Sequence, residues 1–189
     1  MTLPVAQLSS GSPFNVRAIF FRGCEWKMDD DFDPLRAGQP LLGHFAVAPK
    51  SYTTATLRID APEPREVRAY AFATTLDFTY RLGEADKTYD EAAVEKLKVV
   101  ASMSATLVAD YLLSDGADQP DAAVLENWLR GPSLAHIWPY WREFCHSTML
   151  RMNLPVTIIP LMVMGPKPER PAPEELASPP TRKPRKKAG

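Results

Sequence analysis

Apolar and polar residues alternate with period two over four stretches of the chain, and a helical period appears only after residue 120. In Phe14–Trp26, Phe14, Val16, Ala18 and Phe20 fall on one side and Ile19 and Phe21 on the other. Apolar residues on both sides predict a strand covered on both faces. In Tyr52–Asp60, Thr53, Ala55, Leu57 and Ile59 alternate with Thr54, Thr56, Arg58 and Asp60, as in a half-exposed antiparallel strand. The prolines of Ala61-Pro-Glu-Pro64 close it with a turn. Glu66–Leu82 alternates most strictly: Tyr70, Phe72, Leu76, Phe78, Tyr80 and Leu82 share one face, and Ala69, Ala71, Ala73, Thr75, Asp77, Thr79 and Arg81 the other. A fourth strand follows from Val99 to Leu113.

The intervening segments read differently. Residues 27–50 hold Asp29, Asp30 and Asp31, three prolines and two glycines, and predict a long irregular loop. Glu91–Lys98 suits a helical turn. Asp121 is placed to cap a short helix to Leu129, with Gly131-Pro132 as its stop. Leu134–Trp138 is then predicted to cross over, with Pro139 in the first turn of a helix from Tyr140 to Met152 that ends before Asn153 and Pro155. Val156–Met164 is an apolar, extended packing segment interrupted by Pro160. Four strands followed by helices predict an α+β fold: a four-stranded antiparallel sheet, then a short helix and a long C-terminal helix covering one face.

Charge divides the chain unevenly. Of 22 basic and 23 acidic residues, seven and three lie in Pro166–Gly189, leaving 15 and 20 in the body. The tail is basic, holds seven prolines and has few apolar anchors, so disorder is expected over 166–189. Residues 1–12 read as a flexible lead-in, leaving 13–165 as the folded domain. The first residues lack the pattern of a signal peptide, and no apolar run reaches the roughly 20 residues of a membrane helix. Cys24 and Cys145 form no CxxC pair or disulfide framework. Together these point to a reduced, cytoplasmic protein with no membrane insertion.

Candidate chemistry is sparse. Cys145 and His146 are adjacent, so on a helix they point about 100° apart and do not form a local thiolate–imidazole pair. No nucleotide-binding glycine motif and no nucleophile elbow occur. The Asp29–Asp31 run lacks the alternation, glycine and terminal glutamate of a calcium loop and reads as solvated. The basic end of the tail, Arg182 to Lys187, carries no aromatic residues for base stacking, and no nucleic-acid partner is expected. No cofactor, metal or catalytic residue is signalled, and the expectation is a non-enzyme.

The last helix is unusual. Trp138, Trp141, Cys145, Met149 and Met152 make one apolar stripe, and Tyr140 and Phe144 a second, with Arg142 and Glu143 between them. One stripe suffices to cover a sheet; the second predicts a further contact, although both would also fit a single core. Trp, Tyr and Met suit a promiscuous apolar contact. Trp138-Pro-Tyr-Trp-Arg-Glu143 resembles the PY-x-RE signature of SecB and SecB-like protein-export chaperones. Arg151-Met-Asn-Leu-Pro155 is similar to the helix exit of the same family, and the element order agrees with its layout.

The resemblance implies a homotetramer, a dimer of dimers in which first strands pair across subunits. It also implies grooves that hold unfolded polypeptide for an export motor or for a toxin–antitoxin system. Carried over onto this chain, the motif is Pro139, Tyr140, Arg142 and Glu143: Pro139 starting the helix, Tyr140 near the groove, Arg142 and Glu143 tying the helix to neighbouring backbone or subunit. Trp141, where relatives can carry a small residue, implies a modified groove. Surplus apolarity nominates Trp128, Leu134, Ile137, Trp138, Tyr140 and Phe144 as client contacts. The third strand offers only Asp77 outward, without the acidic cluster of export-coupled relatives, so an antitoxin client is as open as an export precursor. A non-catalytic adaptor for one folded partner is the competing expectation. A small-ligand protein would need His136, Tyr140 and Arg142 to converge.

Overall fold

The computed structural model describes residues 12–36, 40–60, 64–84 and 87–162. The chain begins with three strands, β1 (Phe14–Met28), β2 (Leu41–Ile59) and β3 (Arg65–Leu82). A one-turn helix α1 (Glu91–Glu95) precedes β4 (Val99–Leu113), and α2 (Ala122–Arg130) and α3 (Pro132–Arg151) follow. The strands form one antiparallel sheet in the order β1-β4-β3-β2, so β1 and β2 are its edges. Together with the helices they make the expected α+β, SecB-like architecture.

Strict alternation decides which face is buried. Tyr70, Phe72, Leu76, Phe78 and Tyr80 of β3 and Met103, Leu107 and Tyr111 of β4 share the core with Leu129, Ile137, Trp141, Cys145 and Met149 of α2 and α3. The aromatic side chains of β3 and β4 all stand on this face, where helices remove them from water. The opposite face is lined with Ala69, Ala71, Ala73, Thr75, Asp77 and Thr79 of β3, and with Ser102, Ser104 and Thr106 of β4. Thr75 and Thr106 bridge across the strands at 2.8 Å. Asp110, buried on this face, is held by Arg17 from a bulge of β1, with Nε at 3.0 Å from Oδ2.

Three expectations need correction. The first strand is not covered on both faces: β1 is an edge strand with Phe20, Phe21 and Trp26 exposed, and the shift between Val16 and Ala18 moves Ile19 and Phe21 onto the face of Phe14 and Val16. Residues 41–50 are strand, not loop. Pro49 is tolerated because β2 is an edge strand, where a missing N–H removes no ladder bond, and the register shifts between Pro49 and Ser51. Leu134–Trp138 is not a crossover: α3 begins at Pro132 and runs through Pro139. An internal proline forfeits one backbone bond and costs about 3 kcal/mol. Burying Leu134, Ile137 and Trp138 returns about 1.5–3 kcal/mol each, so the helix persists. Pro132, not Pro139, is the proline of the first turn.

The helix ends follow local chemistry. Asp121 caps α2 by accepting from the Val124 N–H at 2.8 Å. α3 closes with Asn153 in the left-handed region (φ 53°), the Leu154 N–H on the Met149 carbonyl at 2.9 Å and the Asn153 N–H on the Leu150 carbonyl at 3.3 Å. That pair of bonds is a Schellman closure. It turns the chain back along the helix into an extended strap, 154–162. The expected disordered tail, 166–189, lies outside the described residues, as do residues 1–11 and the last two residues of the apolar run, 163 and 164.

Candidate functional site

The strap is held by side chains rather than by strand pairing. Tyr80 of β3 donates its hydroxyl to the Pro155 carbonyl and lies 2.9 Å from the Thr157 hydroxyl. Arg142 Nε donates to the Ile159 carbonyl at 2.9 Å, and Trp138 Nε1 to the Pro160 carbonyl at 2.8 Å. Leu154 and Ile159 are buried by these latches. Their neighbours point outward: Ile158 is 84% exposed, Leu161 72%, and Val156 is exposed as well. Between strap and helix runs an open groove of about 460 Å³, lined by Pro139, Arg142, Glu143, His146 and residues 156–159. Tyr140, 48% exposed, stands on α3 one residue beyond Pro139.

The β1 edge also leaves apolar side chains uncovered: Trp26, 58% exposed, and Phe21 stand on the helix-covered face through their pairing with Met103 and Leu107, and Phe20 on the opposite face through its pairing with Val108. Phe144 reaches over from α3 to Phe21, ring centres 5.4 Å apart. Large apolar side chains left in water on an edge strand mark a surface that pairs with something.

The six nominated contact residues do not form one surface. Leu134, Ile137 and Trp138 are buried between helix and sheet, so in this fold they are core. Trp141, expected to modify a groove, is fully buried and stacks on Phe144 at 5.6 Å. Trp128 is half-buried against Phe14, ring centres 4.7 Å apart. Tyr140 is open to solvent and Phe144 partly so. Of the motif residues, Pro139 and Glu143 line the groove, and Arg142 ties helix to backbone. The exposed members Val156, Ile158 and Leu161 were not nominated. Their signal was the period-two alternation of Val156–Ile159, which reads the same for a core segment and an open one.

Catalytic convergence is not seen at the residues considered for it. His136 Nδ1 pairs with the Tyr111 hydroxyl at 2.7 Å, whereas Arg142 is engaged with the strap. Burial pushes the His136 pKa down and the Tyr111 and Cys145 pKa values up, which keeps all three neutral near pH 7. A buried neutral thiol is a packing group. Among the described residues no group of three or more His, Cys, Asp or Glu could hold a metal ion, and no helix is long and apolar enough to cross a membrane.

No protein-family model and no curated protein matches the chain. Among solved structures, it is similar to the Mycobacterium tuberculosis SecB-like chaperone Rv1957, in complex with a ChAD peptide from the Rv1956 HigA1 antitoxin. The TM-score is 0.56 at 14% identity, over 81% of this chain and 93% of that one. At that identity the likeness establishes the fold.

Proposed function

We propose that this protein is a molecular chaperone of the holdase type, binding non-native polypeptide without catalysis or cofactor. The observation that carries the reading is the set of exposed apolar side chains, Val156, Ile158 and Leu161 on the strap and Tyr140 on α3, around an open groove, on a fold shared with a SecB-like chaperone. Exposed apolar side chains clustered on one segment cost solubility unless something covers them. The client contacts are then Tyr140 and Phe144 of the original set, joined by Val156 and Ile158. Leu134, Ile137 and Trp138 support them from beneath.

The working form is a homo-oligomer, a tetramer built as a dimer of dimers in the cytoplasm. The uncovered apolar residues of the β1 edge support pairing of first strands between protomers. The client class favoured is an antitoxin-like segment rather than a precursor handed to an export motor. The outward sheet face carries Asp77, a Glu25 paired with Lys27 and an Asp110 paired with Arg17, which is little free acidic surface for a motor to engage.

The test is aggregation of a reduced, slowly folding client diluted from denaturant. Near-stoichiometric protein should suppress it, and Tyr140→Ala/Ile158→Asp should suppress it less while remaining folded and oligomeric. Absence of suppression across several unrelated clients would overturn the holdase reading in favour of an adaptor with one folded partner.

A further inference from the structure

The strap is fastened unevenly along its length. In its near half the Leu154 N–H bonds to the Met149 carbonyl at 2.9 Å. The Tyr80 hydroxyl donates to the Pro155 carbonyl, lies 2.9 Å from the Thr157 hydroxyl and is engaged by the Thr157 N–H as well. Thr157 also sits against β2 at Gly43, where an added Cβ would lie 2.8 Å from the Phe78 ring and 3.3 Å from the Thr157 methyl group. A side chain there would displace one or both, so glycine permits this close approach of strap and sheet. The far half has one polar tie from Arg142 to Ile159 and one from Trp138 to Pro160. Ile159 and the partly buried Met162 are its apolar anchors, whereas Leu161 is exposed. Between the halves stands the exposed Ile158, whose backbone makes no hydrogen bond among the described residues.

We infer that the strap is a clasp: residues 159–162 swing away from α3 about Ile158 while 154–157 stay fixed, and this swing sets the width of the groove. Residues 156–159 are one wall of the groove and the Pro139–His146 face of α3 is the other, so outward movement of Ile159 opens the wall at its far end. The same movement frees the Arg142 Nε, which then faces the groove together with the rest of its guanidinium. Segments with few main-chain bonds and few buried contacts are the ones that open locally while the rest of a fold stays shut. A shut clasp lowers the affinity of the groove for whatever it holds, because only the open fraction binds. Loss of one of the two far hydrogen bonds should raise the ratio of open to shut about fivefold. The swing follows from the fastenings alone; its role as a gate rests on the holdase reading.

Two measurements on the full-length protein test the swing and the gate separately. Arg142→Gln removes one far tie and leaves the Trp138 indole N–H to report on the other. Exchange of that N–H with solvent should quicken about fivefold, with the Leu154 and Thr157 amides unchanged. Equal quickening at all three positions would overturn the hinge, since the strap then leaves as a whole. Quickening at none would overturn the swing. The gate is read in Trp138→Phe, which deletes the other tie from beneath, at a residue that does not line the groove. It should bind reduced, carboxymethylated α-lactalbumin about fivefold more tightly than the parent, the reverse of what losing a merely structural side chain gives. Met162→Ala, which loosens the far end from outside the groove, should act in the same direction and serves if Trp138→Phe does not fold. Equal or weaker binding by a folded variant overturns the gate and leaves the holdase reading standing. Failure of parent and variants alike to bind any unfolded client removes the holdase reading, and the gate with it, whereas the exchange result still decides the hinge.

Discussion

Trp138 donates its indole N–H to the carbonyl of Pro160 at 2.8 Å, so one buried side chain of α3 fixes both the sheet–helix core and the far end of the strap. Its ring also meets Phe45 of β2 edge-on at 5.8 Å. Trp138→Phe keeps the ring contact and deletes the latch. It should cost about 1–2 kcal/mol, and limited proteolysis should cut within 154–162 sooner than in the parent. Equal cleavage rates would mean that Tyr80 and Arg142 suffice to hold the strap.

Trp141 is the largest fully buried side chain and stacks on Phe144. Trp141→Ala should lower stability by about 3–5 kcal/mol through lost transfer energy and the cavity left behind. Denaturant melts give the value. Tyr140→Ala, one residue earlier but exposed, should fall within about 0.5 kcal/mol of the parent.

Asp110 is buried and relies on the half-exposed Arg17. Arg17→Ala strands the carboxylate and should cost about 1–3 kcal/mol, and Arg17→Ala/Asp110→Ser should recover part of it. A double variant no better than the single one would mean that the pair does not couple.

His136 titrates against the fold. Burial lowers its folded pKa below the ordinary imidazole value of 6.5, so as pH falls the unfolded chain takes up the proton first. Its contribution is therefore complete above 6.5 and is lost as pH drops through the lower folded value. Urea midpoints should decline from pH 7.5 towards pH 5, and less steeply in His136→Gln. Parallel slopes in the two proteins would assign the decline to other groups.

Strands β3 and β4 were legible because apolar residues recur at every second position over most of their length, as in a sheet with one covered face. The end of α3 before Asn153 was legible too, from Asn153 and the following Pro155. The first half of β2 was not: an acidic run, glycines and Pro49 read as loop, and only its edge position makes the proline harmless. Pro139 misled in the other direction. Two prolines, 132 and 139, each suit a first turn, and the buried residues between them decide in favour of the earlier one. The groove stayed hidden because an apolar run does not say which of its side chains meet solvent. Three side-chain donors drawn from β3 and α3 settle that, and their convergence is tertiary.

Pro49 and its register shift interrupt the outer edge of β2, and β1 carries two shifts of its own, between Val16 and Ala18 and between Phe21 and Gly23. Both edges of the sheet are thus broken within their length. A further strand could follow either for only part of its course, so copies of this chain meeting edge to edge would not find the long regular ladder on which a fibre grows.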